Sequence, residues 1–403
     1  MPDPSAPSIP SSLLGDLSPE TFLSEYWQKK PLLVRDALPD FRSPLEPEEL
    51  AGLALEPNVE SRIILEHQAR ENGAPDGTPW ELREGPFDQD AFLDLPETHW
   101  TLLVQEVDRL VPTVGDLLEH FRFLPDWRID DVMISYAPEG GNVGPHIDNY
   151  DVFLLQGLGH RDWQYGTAPV EDESIVEGLD LRILDTFEPD EQHVLGPGDM
   201  LYLPPRVAHH GVATDDCMTY SIGFRAPSHR ELVGDFLQYA IERIDPDARY
   251  SDPERGPASA PGEIGDEDLA RIRSVLRDVV ADDAAIDRWF GRFITEPQRN
   301  RMAVPRENPL PPQEVADQIR TGTDLRRTPA ARIAFTRHDD GTATLFANGE
   351  ARDINDALLP VADAVAGREH IPADDLTPHL GVDGAAALLA HLINEGLLDF
   401  DLA

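Results

Sequence analysis

The spacing of apolar residues changes along the chain and divides it before any chemistry is considered. Residues 21–37 open with Phe22, Tyr26 and Trp27 at helical spacing and continue into Leu32-Leu33-Val34 behind Pro31, which predicts a helix and then a short strand. Residues 61–66 and 100–107 predict further strands, 79–87 a loop, and 113–121 an amphipathic helix. From Ile129 the alternation becomes that of strands. Residues 131–136 predict a strand and 139–144 a glycine-rich loop. Residues 151–156 and 160–165 read as the arms of a hairpin turning at Gly157-Leu158-Gly159. Gly196-Pro197-Gly198-Asp199 turns into Met200-Leu201-Tyr202-Leu203, Pro204-Pro205 interrupts, His209 opens the next segment, and 219–224 closes the run. Many short strands separated by glycine and proline predict a barrel or sandwich.

Beyond Pro227 helical spacing returns. Residues 230–244, 266–280 and 284–294 predict helices, with a loop rich in Pro, Ser, Gly and acid over 245–265. Apolar helical stripes with no second apolar run to cover them are satisfied by a second copy of the chain or by packing back on the barrel, and a dimer is the expectation. Around Asn308 a third unit starts, with a helix at 312–319 and a hairpin over 332–347 turning at Asp339-Asp340-Gly341. Helices at 354–366, 373–380 and 384–396 complete a winged-helix-like plan. The expected architecture is α+β: a β-barrel over residues 1–228, a helical dimerisation region over 229–307 and a winged-helix-like domain over 308–403.

Composition narrows the setting. No apolar run approaches the roughly 18 residues of a membrane helix, and Met1 to Pro10 lacks the basic and apolar segments of a secretory signal. The single cysteine, Cys217, cannot form an internal disulfide, so a reducing cytoplasm is expected. The 33 basic and 76 acidic residues leave a net charge of −43, and Lys29 and Lys30 are the only lysines. Adaptation to salt explains such an excess, and so does attraction to a basic partner. Direct binding to free nucleic acid is disfavoured, since it needs a cationic surface. The last unit, residues 310–403, carries 7 arginines and no lysine against 16 acids, so protein contact is expected of it rather than DNA reading.

Within the strand-rich part, Gly144-Pro145-His146-Ile147-Asp148-Asn149-Tyr150 places an imidazole and a carboxylate two residues apart, on one side if the segment is extended. The stretch from Gly198-Asp199 to His209 is the second half of a cupin-type metal motif and supplies the third ligand. His210 competes for that role. Adjacent strand residues face opposite ways, which favours His209 and leaves His210 solvated or behind the ligands. Two histidines and one carboxylate with an open metal face are the ligand set of non-haem Fe(II) oxygenases. Arg161 could grip the distal carboxylate of 2-oxoglutarate with paired hydrogen bonds, the alternative being an ion pair with Asp162 or Asp151. Ser221 and Tyr136 are candidates for a hydroxyl in the same pocket.

The segments Tyr26-Trp27-Gln28-Lys29-Lys30-Pro31-Leu32-Leu33, Gly144 to Phe153, and Asp199 through His209 to Ser221-Ile222-Gly223-Phe224-Arg225-Ala226-Pro227 resemble the bacterial ribosomal oxygenases. These are cupin-like JmjC proteins that hydroxylate an arginine of large-subunit ribosomal protein L-sixteen. The resemblance implies a double-stranded β-helix holding Fe(II) through His146, Asp148 and His209, with 2-oxoglutarate held by Arg161 and O2 as the second co-substrate. It also implies an arginine pocket lined by Asp131, Met133 and Tyr150. Those residue types suit a guanidinium and its stem. The flanks of Arg161 depart from the family, with His160 and Asp162 where relatives are more basic. The same metal set would also serve an N-methyl demethylase, or a metal-binding cupin without oxygenase activity.

Overall fold

The computed structural model describes residues 12–67, 79–258, 260–297 and 302–401. The N-terminal stretch that reads as no secretory signal lies outside the described residues. The chain forms two compact units that divide between Ala226 and Pro227.

The first unit begins with helix α1 (Pro19–Glu25), started by Pro19 and by the Ser18 hydroxyl accepting from Thr21 N at 3.2 Å. Its strands are β1 (Leu32–Val34), β2 (Ser61–Glu66), β3 (Trp80–Glu84), β4 (Trp100–Val104), β5 (Ile129–Ala137), β6 (Val152–Leu158), β7 (Arg161–Pro169), β8 (Glu191–Leu195), β9 (Met200–Leu203), β10 (Val207–Ala213) and β11 (Cys217–Phe224). They form an eight-stranded sheet ordered β1-β9-β6-β11-β5-β4-β2-β3 and a three-stranded sheet ordered β10-β7-β8. The two sheets are the walls of a double-stranded β-helix.

Strands β6 and β9 are buried on both faces, which is why their sequences are almost uninterruptedly apolar. Phe153, Leu155, Met200 and Tyr202 join the large core on one face of the eight-stranded sheet. The alternate residues Leu154, Leu201 and Leu203 meet Trp163 and Tyr165 of β7 in a smaller core on the other face. In the large core Phe153 lies 4.8 Å from Tyr202, 5.0 Å from Phe121 and 5.6 Å from Phe22, ring centre to ring centre.

Several expectations are corrected. The segment 151–165 is not a hairpin: β6 pairs with β9 and β11, whereas β7 pairs with β8 and β10. The Gly157-Leu158-Gly159 corner carries the chain from one wall to the other. The presumed loop 79–87 contains β3, which pairs with β2 at the sheet edge. Its Trp80 and Leu82 alternate with charges, but the run is too short to stand out. The strand expected over 100–107 ends at Val104, and Val107 starts a short helix. The helix expected over 113–121 is a single α-turn, Pro112–Gly115, followed by a 3₁₀ turn, Asp116–Phe121. Val114, Leu117, Leu118 and Phe121 are buried as helical spacing requires; only the winding is tighter.

In the second unit α2 (His229–Ile241), α3 (Asp266–Val280) and α4 (Asp283–Thr295) stand where helical spacing placed them. Phe236 and Ala240 pack on Trp289, whose indole N–H donates to Asp235 at 2.7 Å. After α5 (Pro312–Arg320) come β12 (Leu325–Arg327) and a three-stranded meander of β13 (Ile333–Arg337), β14 (Thr342–Ala347) and β15 (Glu350–Asn355). The expected hairpin therefore has a third strand, whose last two residues are the first two of the helix expected over 354–366. Helix α6 starts at Leu359 and runs to Ala366 (Leu359–Ala366). Helix α7 (Ala385–Asn394) fills the centre of this winged-helix domain with Leu388, Leu389, Leu392 and Ile393. Among the described residues no helix is long and apolar enough to cross a membrane.

The fully buried Phe153 ring is the hub of the aromatic core, so Phe153→Ala is expected to lower unfolding free energy by about 3–5 kcal/mol. Chemical denaturation followed by tryptophan fluorescence measures it; a loss well under 1 kcal/mol would mean that the cluster is not the support described.

Candidate metal centre

The loop between β5 and β6 carries His146 and Asp148, and the third residue of β10 is His209. The loop is not the regular strand expected from sequence. At the ligands it meets β10 in an isolated antiparallel bridge, in which His146 N donates to His209 O and His209 N donates to His146 O, both at 3.0 Å. That pair brings together two side chains far apart in sequence. Farther along the loop, Arg206 N donates to the Asp148 carbonyl at 2.6 Å. One ligand-capable atom from each of His146, Asp148 and His209 lies within 4.8 Å of the others.

The side chains are oriented as well as close. His146 Nδ1 donates to Gly144 O at 2.9 Å and His209 Nδ1 to Val207 O at 3.0 Å. Each imidazole therefore keeps its proton on Nδ1 and its lone pair on Nε2. The two Nε2 atoms stand 3.9 Å and 3.6 Å from the same Asp148 oxygen. Burial, with His146 beside it, pushes His209 down to about 4, so its ring is neutral at physiological pH. Two imidazole nitrogens and one carboxylate, all presented from one side, suit a divalent ion of the iron–zinc series.

On β7, Arg161, Trp163 and Tyr165 point inward by strand alternation. Arg161 is 3% exposed, yet its Nε and Nη2 find no hydrogen-bond partner. Neither alternative ion pair forms. Asp151 accepts from Gln28 and Tyr202 and pairs with Arg128, while Asp162 accepts from Gln192. A buried guanidinium without an anion is costly, so its natural complement is a ligand carboxylate. The register pairs His209 with Tyr165 and Ala213 with Arg161, which sets Arg161 four residues, about 13 Å of strand, beyond the histidine. Trp163 bridges the interval, its ring 6.0 Å from His209 and 5.7 Å from the Arg161 guanidinium carbon. The ring lies over Gly211, where a Cβ would meet it at 2.7 Å.

Asp131 and Met133 share one face of β5, with Ser221 paired to Met133 across the sheet. The Asp131 carboxylate accepts from Glu106 N at 2.9 Å, and Gln105 reaches the Met133 sulfur at 3.5 Å. Burial and the neighbouring Asp108 and Asp130 push Asp131 up to about 7. Tyr150 is half-exposed at the rim, and burial with the Asp148 and Asp131 carboxylates drives its phenol strongly upward. Tyr136 does not belong here. With Met133 and Ser135 facing the barrel interior, alternation turns Tyr136 to the opposite face, against Trp100 at 5.5 Å. His210 likewise points away from the metal position and bonds Asn142 Oδ1 at 3.1 Å. Sequence reasoning passed over Asn142 and Arg206. An asparagine inside a glycine-rich loop was the signal for the first; the left-handed backbone of Arg206 (φ 67) shows only in the structure.

Residues 116–232 match the family described as JmjC domain, and residues 278–399 the one described as ROXA-like winged helix. The chain is 36% identical to the ribosomal protein uL16 3-hydroxylase of Escherichia coli over 380 residues, 94% of this chain and 97% of that protein. It is 34% identical to a probable ribosomal oxygenase of Haemophilus influenzae, covering 86% of this chain and 85% of the relative. The solved structure of the Escherichia coli ribosomal oxygenase YcfD in complex with cobalt and 2-oxoglutarate superposes with a TM-score of 0.81, over 96% of this chain and 98% of that one. A second structure of YcfD gives 0.84 with the same coverage. With that likeness along nearly its whole length, and with a JmjC domain followed by a ROXA-like winged helix, the chain belongs to the JmjC-type ribosomal oxygenases.

Proposed function

We propose that this chain is an Fe(II)- and 2-oxoglutarate-dependent hydroxylase that acts on the β carbon of an arginine in a large-subunit ribosomal protein. One observation carries the reading: a buried, unpaired Arg161 shares a barrel with a preoriented His146/Asp148/His209 set. A relative named for 3-hydroxylation of uL16 supports the choice of substrate.

His146 and His209 offer Nε2 and Asp148 a carboxylate oxygen to one face of the iron, which leaves the opposite face open. Iron bound there would supply oxygen activation coupled to decarboxylation of 2-oxoglutarate to succinate. Arg161 Nε and Nη2 take the distal carboxylate and give the co-substrate one orientation, with Ser221 contributing to the same pocket. Trp163 and the apolar wall of Leu154, Leu201 and Leu203 exclude water between the two ends. Asp131 accepts the substrate guanidinium, while Met133 and Tyr150 pack its aliphatic stem. A cytoplasmic location follows from a ribosomal substrate, and the −43 charge favours a basic partner.

The second unit supports a homodimer. Helix α3 has no buried residue, and Ile272, Val275, Leu276 and Val280 are exposed along it at helical spacing. Such a stripe is covered by another copy more readily than left in water. Leu276→Asp is expected to convert the dimer to a monomer on light scattering; a wild-type protein that is already monomeric would refute the assignment.

The substrate is tested by mass spectrometry of ribosomal proteins from cells with and without this chain. The expected difference is one oxygen on one arginine; loss of a methyl group instead would make the enzyme a demethylase. Arg161→Ala should keep metal affinity but weaken 2-oxoglutarate binding by roughly 10-fold or more, since charge-assisted bonds are lost. Asp148→Ala should abolish turnover. Equal co-substrate affinity in the arginine variant, or full activity in the aspartate variant, rules out these roles.

The raised Asp131 carboxyl predicts a pH dependence. Only its ionised form pairs with a guanidinium, so kcat/KM for an arginine peptide should be level above about pH 7 and fall as pH drops below it, approaching tenfold per unit. Asp131→Asn should give a low profile without that limb. A wild-type profile level well below pH 7 removes Asp131 from guanidinium recognition.

A further inference from the structure

Behind the metal ligands lies a hydrogen-bonded group that the proposed chemistry does not use. Asn142 is 2% exposed, and its side-chain amide is fully engaged. Nδ2 donates to Glu66 Oε2 at 2.6 Å and to Gly140 O at 3.0 Å. Oδ1 accepts from Gly144 N at 2.9 Å and from His210 Nε2 at 3.1 Å. The amide cannot be turned over, because Nδ2 would then face the Gly144 N–H. The backbone carbonyl of Asn142 also accepts from the Thr101 hydroxyl at 3.2 Å, which fixes the loop to β4.

The chain of contacts ends at the metal position. Gly144, held at its N–H by Asn142, accepts the His146 Nδ1 proton on its own carbonyl. Gly144 has φ +77, and a Cβ there would meet Ile183 at 2.9 Å, so only glycine fits between these two contacts. Strand β10 thus supplies two imidazoles with different tasks. His209 faces the barrel as a ligand, while His210, one residue on and facing the other way, reaches the loop that carries His146.

We propose that Asn142 and His210 are positioning residues of the metal centre, which set the direction of the His146 lone pair through Gly144. This rests on the metal reading given above. Partners behind a ligand set its orientation and basicity, and their loss commonly weakens metal binding by roughly 10- to 100-fold.

The test is a cobalt(II) titration of the full-length protein, followed by the visible absorption of the bound ion, without 2-oxoglutarate. Asn142→Ala should weaken cobalt binding by about 10-fold or more and change the band shape, because the ligand field at His146 changes. His210→Ala should shift both in the same direction. His210→Gln, whose amide can donate to Asn142 Oδ1, should restore most of the affinity and the parent band shape. Circular dichroism and melting temperature check that each variant is folded. If Asn142→Ala does not fold, the His210→Ala and His210→Gln pair decides. Parental affinity and spectrum in His210→Ala, or in a folded Asn142→Ala, would overturn the positioning role. Failure of the parent protein itself to take up cobalt would instead remove the metal centre.

Discussion

Two backbone hydrogen bonds between His146 and His209 are the constraint on which the site depends. Each histidine both donates to and accepts from the other, so the separation of two ligands is set by main-chain geometry before any ion arrives. The imidazoles need only be rotated correctly, and their Nδ1 contacts with Gly144 and Val207 do that. Bringing a buried histidine into this arrangement disfavours its charged form, and His209 is accordingly held neutral. Folding has thus already met the orientation and deprotonation that metal binding otherwise demands.

The bridge would mean little if the loop could swing about it. Its far end is held by Asp151, whose carboxylate is wholly buried and accepts from Tyr202 at 2.6 Å, Gln28 at 2.8 Å and Arg128 at 3.2 Å. A buried carboxylate costs several kcal/mol in lost hydration and is tolerated only when its oxygens are engaged in this way. Gln28 lies just after the first helix, so the anchor joins the N-terminal segment to the loop bearing Asp148. Its near end is held by Asn142. The metal loop is therefore fixed at both ends and in the middle, by three independent sets of polar contacts.

The ligands were legible in the sequence because their chemistry is local: a His-x-Asp pair, a turn, a strand and a further histidine. The same holds for Arg161, whose strand position placed it inward. What local pattern could not supply was the sheet to which a strand belongs. Residues 151–165 look like a hairpin because both arms alternate and glycines join them, yet the arms pair with different neighbours. Strand β3 has a weak sequence signal because an edge strand buries little, and its charges resemble those of a loop. Tyr136 lies three residues from Met133 on one strand, an odd offset that turns its hydroxyl to the opposite face. The role of His210 becomes visible only when its partner Asn142, distant in sequence, lies beside it.

Charge and pocket act over different distances, and together they divide the work of recognition. A surplus of 43 negative charges produces a field over the whole surface, but salt screens it beyond about 8 Å at physiological ionic strength. Such a field raises the encounter rate with any cationic protein and selects none of them. Selection falls to groups in direct contact, and in the proposed arginine pocket Asp131 is the one that carries charge. Burial, with Asp108 and Asp130 beside it, raises its carboxyl to about 7, so near neutral pH it is only partly ionised until a guanidinium arrives to stabilise the charged form. A pocket that gains its charge on binding discriminates by fit rather than by field. An acidic protein can in that way attract every basic chain and still choose one arginine.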